Sequence, residues 1–247
     1  MPRRSWMRSA SAALTAGVAM IVSACGQEIS GAPLPAAAGP AVCDTVVMFV
    51  LDVSLSMEAT DVPPTRLAVA RQAAQEFANR QPAQTDLGLA TFAGTAQLHV
   101  TPTTNRSAFT TALDAVKLSE RTATGEGIYT ALAAIAALSQ VVPVDGPQRI
   151  ILLSDGKQTQ PADLDAPRGA YTAAREAQSK NIPISTISLG TAHGVVDVPD
   201  HSTSVRVPVP TDPDSLREIA RLSGGDFHSA TTLPELSAAL AELTCSA

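Results

Sequence analysis

The chain is poor in aromatic residues and in charge. Aromatics make up 3% and charged residues 16% of its 247 residues. With one Trp, two Tyr and five Phe, any core must be assembled from Ala, Val, Leu and Ile. Basic charge is scarcer still: 17 Lys and Arg stand against 23 Asp and Glu, a formal charge of −6. That excludes the basic footprint of a nucleic-acid binder. The histidines His99, His193, His201 and His228 show no ligand spacing, so each reads as a surface or strand residue and not as a zinc ligand. No internal repeat is visible, and the apolar stretch 11–24 is too short to span a bilayer comfortably. What the chain does have is aliphatic mass. Hydrophobic residues are 45% of the total, which suits a packed core and argues against disorder. The length is enough for one sizeable domain and a leader.

At the N-terminus, Arg3, Arg4 and Arg8 precede that short apolar stretch, which ends in small residues. This is the pattern of a secretory signal. Val22-Ser23-Ala24-Cys25 resembles a bacterial lipobox, in which the cysteine becomes the first residue and carries diacylglycerol. The expected protein is therefore an extracytoplasmic lipoprotein held to the bacterial cell membrane through Cys25, since two or more acyl chains anchor stably where one does not. The Arg3-Arg4 pair does not decide between Sec and twin-arginine export. Residues 26–42 are rich in Ala, Pro and Gly and read as a flexible tether. The expected organisation is a signal peptide at 1–24, the lipidated Cys and linker at 25–42, and one domain at 43–247. Export permits a disulfide between the remaining Cys43 and Cys245. Such a bridge closes a loop of about 200 residues and contributes roughly 5 kcal/mol in a chain-entropy treatment. It requires the two ends of the domain to meet.

From residue 45 onward, strand-like and helix-like segments alternate. Residues 45–54, 149–154 and 184–189 are near-continuous apolar runs, as expected of parallel strands buried on both faces. Residues 87–92 and 96–100 flank Gly94 as a hairpin. Helical periodicity marks 66–80, 105–118, 127–141, 168–181, 214–223 and 233–243, and Gly224 with Gly225 ends the fifth of these as a C-cap. A short strand is expected at 226–229. The pattern predicts an α/β, doubly wound, mostly parallel central sheet flanked by helices, with one antiparallel edge strand. Ligands of such sheets bind outside the carboxyl ends of the strands, where strand order reverses. The informative loops are therefore those leaving Leu51, Leu153 and Leu189.

The first of these loops reads Asp52-Val53-Ser54-Leu55-Ser56-Met57. In extended backbone, residues two apart face the same way, so Asp52, Ser54 and Ser56 present three oxygens on one side while Val53 and Leu55 point into the protein. Such oxygens suit a hard cation such as Mg²⁺, with Mn²⁺ or Ca²⁺ as substitutes. The stretch 121–127 (RTATGEG) adds a hydroxyl ahead of a helix, and Ser154-Asp155-Gly156 ends a buried strand with a carboxylate.

In order and spacing, Asp52-x-Ser54-x-Ser56, Thr122 and Asp155 resemble the metal-ion-dependent adhesion site of von Willebrand factor A (VWA) domains. Further stretches resemble bacterial Bat-type VWA proteins: Asp61, Pro64-x-Arg66-Leu67, Thr122-x-x-Gly125-Glu126-Gly127, Leu216-Arg217-Glu218-Ile219-Ala220 and Ser223-Gly224-Gly225. The likeness covers 43–247. It implies that Ser54, Ser56 and Thr122 bind metal through hydroxyls, and Asp52 and Asp155 directly or through water. Thr124 rivals Thr122, which is preferred because the Gly125-x-Gly127 pair follows it at the family's spacing. Two departures stand out. Leu55 replaces a residue that is often small, and Arg121 one that is often Gly. Mg²⁺ retains waters until a better oxygen arrives, so the resemblance implies a non-enzymatic module that captures an Asp or Glu of a protein partner.

Other readings are weaker. A structural envelope subunit whose metal only stiffens loops is one alternative. A phosphoryl-transfer hydrolase using Asp52 as nucleophile is another, but that chemistry usually needs an acid two residues on, where Ser54 stands. Gly156-Lys157-Gln158-Thr159 lacks the preceding glycine of a phosphate loop, having Ile151 in its place. Ser154-x-x-Lys157 has no accompanying S-D-N or K-T-G. The connection 191–210 is long for its place and carries His193, Asp197, Asp200, His201 and Arg206. It is expected to lie near the metal face and to help choose the partner, as is the tract 158–167.

Overall fold

The computed structural model describes residues 43–200 and 203–244. The expected signal peptide, Cys25 with its tether, His201 and Cys245 lie outside the described residues. The first strand, β1 (Val46–Asp52), is buried at every position. The next element of the sheet layer is reached through α1 (Arg66–Arg80), and then come β2 (Asp86–Phe92) and β3 (Ala96–Thr103). The helices α2 (Arg106–Ala115) and α3 (Thr124–Val141) precede β4 (Gln148–Ser154), α4 (Ala170–Ser179) and β5 (Ile184–Leu189). The chain continues through β6 (Val195–Asp200), β7 (Thr203–Pro208), α5 (Pro213–Ser223), β8 (Phe227–Ala230) and α6 (Leu233–Glu242).

Six strands form one sheet in the order β3-β2-β1-β4-β5-β8. All neighbours are parallel except β2 and β3, whose antiparallel pairing makes β3 the edge. The physical origin is the two-residue alternation of a strand. Val47, Phe49 and Leu51 face one side, into a core with Phe77 of α1, Phe109 of α2 and Leu236 of α6. Val46, Met48 and Val50 face the other, against Ile128 of α3, Ala173 of α4 and Leu216 of α5. Both faces of β1 are covered, so its run has no polar interruption until Asp52. Burying each such large aliphatic or aromatic side chain stabilises the fold by about 1.5–3 kcal/mol.

Several helices are capped as their sequences dictate. Thr65 caps α1 by accepting from the Ala68 amide, and Asp212 caps α5 by accepting from Ser215. Gly224 closes α5 in the left-handed conformation at φ 78°. Among the described residues, no helix is long and apolar enough to cross a membrane.

Two expectations are corrected. The 191–210 connection is not a plain loop: β6 and β7 form a separate two-stranded antiparallel sheet. The signal was present in the alternating valines 196, 198, 205 and 207, which the register pairs as Val196 with Val207 and Val198 with Val205. Leu55 does not pack inward. The extended backbone stops at Ser54, a 3-10 turn over Leu55–Glu58 follows, and Leu55 is 36% exposed. The turn breaks the alternation on which the inward placement depended, although Val53 is buried as expected.

Candidate functional site

Strand order reverses around β1, with β2 on one side and β4 on the other. The carboxyl ends of β1 and β4 are therefore adjacent, and the residues that terminate them meet. Asp52 ends β1 and is fully buried. The Ser54 amide donates to its Oδ1 at 2.8 Å, and the Ser154 hydroxyl donates to its Oδ2 at 2.5 Å. The 3-10 turn brings the Ser54 and Ser56 hydroxyls to 2.8 Å of each other. Thr122 is buried just ahead of α3 and is fixed through its backbone: its amide donates to Thr159 Oγ1 at 2.9 Å, and its carbonyl accepts from the Thr159 and Gln160 amides.

Ser54, Ser56, Thr122 and Asp155 all line one cavity of about 240 Å³, together with Leu55, Arg121, Lys157, Thr159 and the Pro208-Val209-Pro210 segment. Asp52 lies beneath it, bonded to Ser54. The five residues picked out in the sequence are thus brought together. Thr124, the rival of Thr122, is the first residue of α3 and does not line this cavity. Its buried hydroxyl has no hydrogen-bond partner among the described residues.

Two buried carboxylates at one site are electrostatically uncomfortable. Burial pushes the Asp52 carboxyl up to about 7, the charge of Asp155 adds to the rise, and hydrogen bonds from Ser154 and Ser54 oppose it. Burial likewise raises Asp155, against a hydrogen bond from Ser56 and the charge of Arg66.

Arg66 had no place in the predicted ligand set. It is fully buried at the start of α1. Its Nη1 donates to Asp155 Oδ2 at 3.0 Å, while Nε and Nη2 grip Asp61 as a fork at 2.9 and 2.8 Å. Nη2 also donates to the Val209 carbonyl at 3.0 Å. Asp61 in turn accepts from the amide and hydroxyl of Thr191. The guanidinium lies so close to Gly190 and Gly194 that a Cβ at either would sit 2.4 or 2.0 Å from its nitrogens. Arg66 therefore ties the floor of the site to the base of the β6–β7 hairpin. An arginine inside an otherwise apolar helix face was the available sequence signal.

The donor set fits a hard divalent cation. Every candidate ligand atom is oxygen, in two carboxylates and three hydroxyls, and a cation would offset the burial that raises both acids and the Asp155 charge that adds to the rise of Asp52. Among the described residues no group of three or more His, Cys, Asp or Glu could hold a metal. A metal here would therefore depend on the hydroxyls.

Comparison with known proteins agrees with this geometry. The von Willebrand factor type A domain family model matches residues 47–158. The chain is 55% identical over 217 residues to a UPF0353 protein of Nocardia farcinica, an alignment covering 82% of this chain and 65% of that protein. The chain thus spans less than two thirds of that relative, and 59% of a second UPF0353 protein from Mycobacterium bovis. BatB from Bacteroides thetaiotaomicron shares the fold with a TM-score of 0.66 at 22% identity, over 81% of this chain and 98% of that one. Proximal thread matrix protein 1 of the mussel byssus, solved with a zinc-occupied MIDAS motif, gives a TM-score of 0.58 at 17% identity, over 83% and 46% of the two chains. The reversal of strand order at β1 and the residues gathered there thus fall within the stretch, residues 47–158, that matches the von Willebrand factor type A domain family.

Proposed function

We propose that this domain is a metal-dependent protein-binding module and has no catalytic role. Ser54, Ser56 and Thr122 supply hydroxyl ligands, Asp52 and Asp155 coordinate directly or through water, and the metal takes an Asp or Glu of a partner. The observation that carries this reading is the convergence of four of the five oxygen-bearing residues on one cavity, with Asp52 buried directly below. The zinc-occupied motif in the mussel protein supports a divalent ion at the equivalent place. Mg²⁺ is the proposed ion because an all-oxygen site with buried carboxylates suits a hard cation that keeps exchangeable waters.

The proposal includes the chain's setting: a lipoprotein of the bacterial envelope, tethered through Cys25 and residues 26–42, with the binding domain from 43 onward. A bridge between Cys43 and Cys245 is part of it. In its support, Thr85 donates to the carbonyl of Asp44 at 3.2 Å, and Gln81 donates to Thr244 Oγ1 at 3.2 Å. The neighbours of both cysteines are thereby held to the same α1–β2 connection.

Calorimetric titration of Mg²⁺ into the full chain, beside Asp52→Ala and Asp155→Ala, tests the reading. Heat of binding in the wild type that both variants lose is the expected result. Binding that survives both substitutions, or none in any of the three, rejects the site.

A further inference from the structure

We infer that the cavity is a two-sided receptor, selecting a protein segment in which the metal-binding acid is accompanied by a second acidic residue and by an aliphatic one. This rests on the metal-site reading and names its partner class. Part of the cavity lining is basic. Arg121 and Lys157 both belong to it, both are exposed, and among the described residues neither is in an ion pair. Arg121 is held in the left-handed region at φ 68°, and its Nη1 donates to Gln160 Oε1 at 3.0 Å. That hydrogen bond leaves the cation of Arg121 without a carboxylate partner among the described residues.

Another part of the lining is apolar: Leu55 and the Pro208-Val209-Pro210 segment. Leu55 is 36% exposed. Exposed apolar surface beside a binding cavity marks an interaction site.

The occupant follows from charge complementarity. The floor holds Asp52, Asp155 and Asp61 against Arg66, so a bound divalent ion leaves the centre close to neutral, and the two rim cations set the field at the mouth. One partner carboxylate does not balance that field. A second one facing Arg121 and Lys157 does, and an aliphatic side chain lies against Leu55 and the Pro208-Val209-Pro210 segment. Complementary charge at a rim sets selectivity and capture more than raw affinity.

Fluorescence anisotropy of the purified full chain tests this, with three labelled probes of equal length in a Gly/Ser background. One carries a single Asp, one carries Leu-Asp-Glu, and one carries Leu-Asn-Gln. With Mg²⁺, the Leu-Asp-Glu probe should bind about tenfold more tightly than the single-Asp probe, a difference of about 1.4 kcal/mol. Arg121→Asn with Lys157→Gln should remove the gain from the second acid. Leu55→Ser should remove the gain from Leu. A melting temperature equal to that of the wild type shows that the variants fold. Equal Mg²⁺-dependent affinity for both acidic probes overturns the two-sided receptor and leaves the metal reading standing. Binding that ignores a chelator yet follows the rim cations overturns the metal reading alone. No binding of any probe overturns both.

Discussion

Asp155 and Lys157 are two residues apart in one loop, yet they live in opposite environments. Asp155 is 1% exposed and accepts a hydrogen bond from the buried Arg66. Lys157 is exposed and, among the described residues, is in no ion pair. The same contrast runs around the cavity. Its floor is tied by Asp52, Ser154, Arg66 and Asp61 into a network with little room to move. Its mouth is made of side chains whose removal disturbs almost nothing inside. The floor answers to packing and electrostatics, so its residues matter for stability as well as binding. The mouth is under no such constraint from packing.

The sharpest way to break this comparison is to remove the hub. Arg66→Met leaves the buried Asp155 and the half-buried Asp61 without their cation, which costs about 3–5 kcal/mol by the usual penalty for a broken buried pair. Chemical denaturation of variant and wild type measures it, and a loss below 1 kcal/mol would mean the network is not structural.

Gly190→Ala comes next. Gly190 has φ 122°, and a Cβ there would meet Arg66 Nε at 2.4 Å, so both strain and collision apply. The expected loss is about 1–3 kcal/mol, read as a lower Tm in differential scanning calorimetry. An unchanged Tm would show that the hairpin base yields easily.

Smaller in effect is the acid response of Asp61. Burial acts to raise its carboxyl, but hydrogen bonds from Arg66 and Thr191 outweigh that and hold it below the usual value. A lowered carboxylate contributes stability above its unfolded value of 3.8, and that contribution is lost as pH falls through the lower folded value. Stability against pH should therefore decline on the acid side, and Asp61→Asn should flatten that limb. An identical slope in the variant would assign the decline to other groups.

The smallest effect belongs to the mouth: Leu55→Ser should change stability by less than about 0.5 kcal/mol, as surface substitutions do. A large loss would mean that Leu55 packs as the two-residue alternation first suggested.

Much of this molecule was legible along the chain because the relevant physics is local. An uninterrupted apolar run such as 46–51 has to be buried on both faces, and that implies a parallel sheet between helices. The same reasoning located Asp52 and Asp155, because a carboxylate that ends such a run emerges where ligands of these sheets bind. The antiparallel edge was readable from Gly94 between two strand-like segments. The Leu55 placement failed for a local reason too: extended alternation was carried past Ser54, where the chain turns instead. The β6–β7 hairpin was passed over because length and polarity outweighed its alternating valines.

Only the tertiary structure decided the rest. Arg66 and Asp155 are 89 positions apart, and Arg66 reaches the Val209 carbonyl across 143. No periodicity or motif encodes contacts at that separation, since they exist only once the sheet has set which strand ends are neighbours. The sequence by itself determined the layers, the oxygen-bearing residues of the candidate site and the edge at which they gather. Folding determined that a buried guanidinium ties that edge to the base of the β6–β7 hairpin.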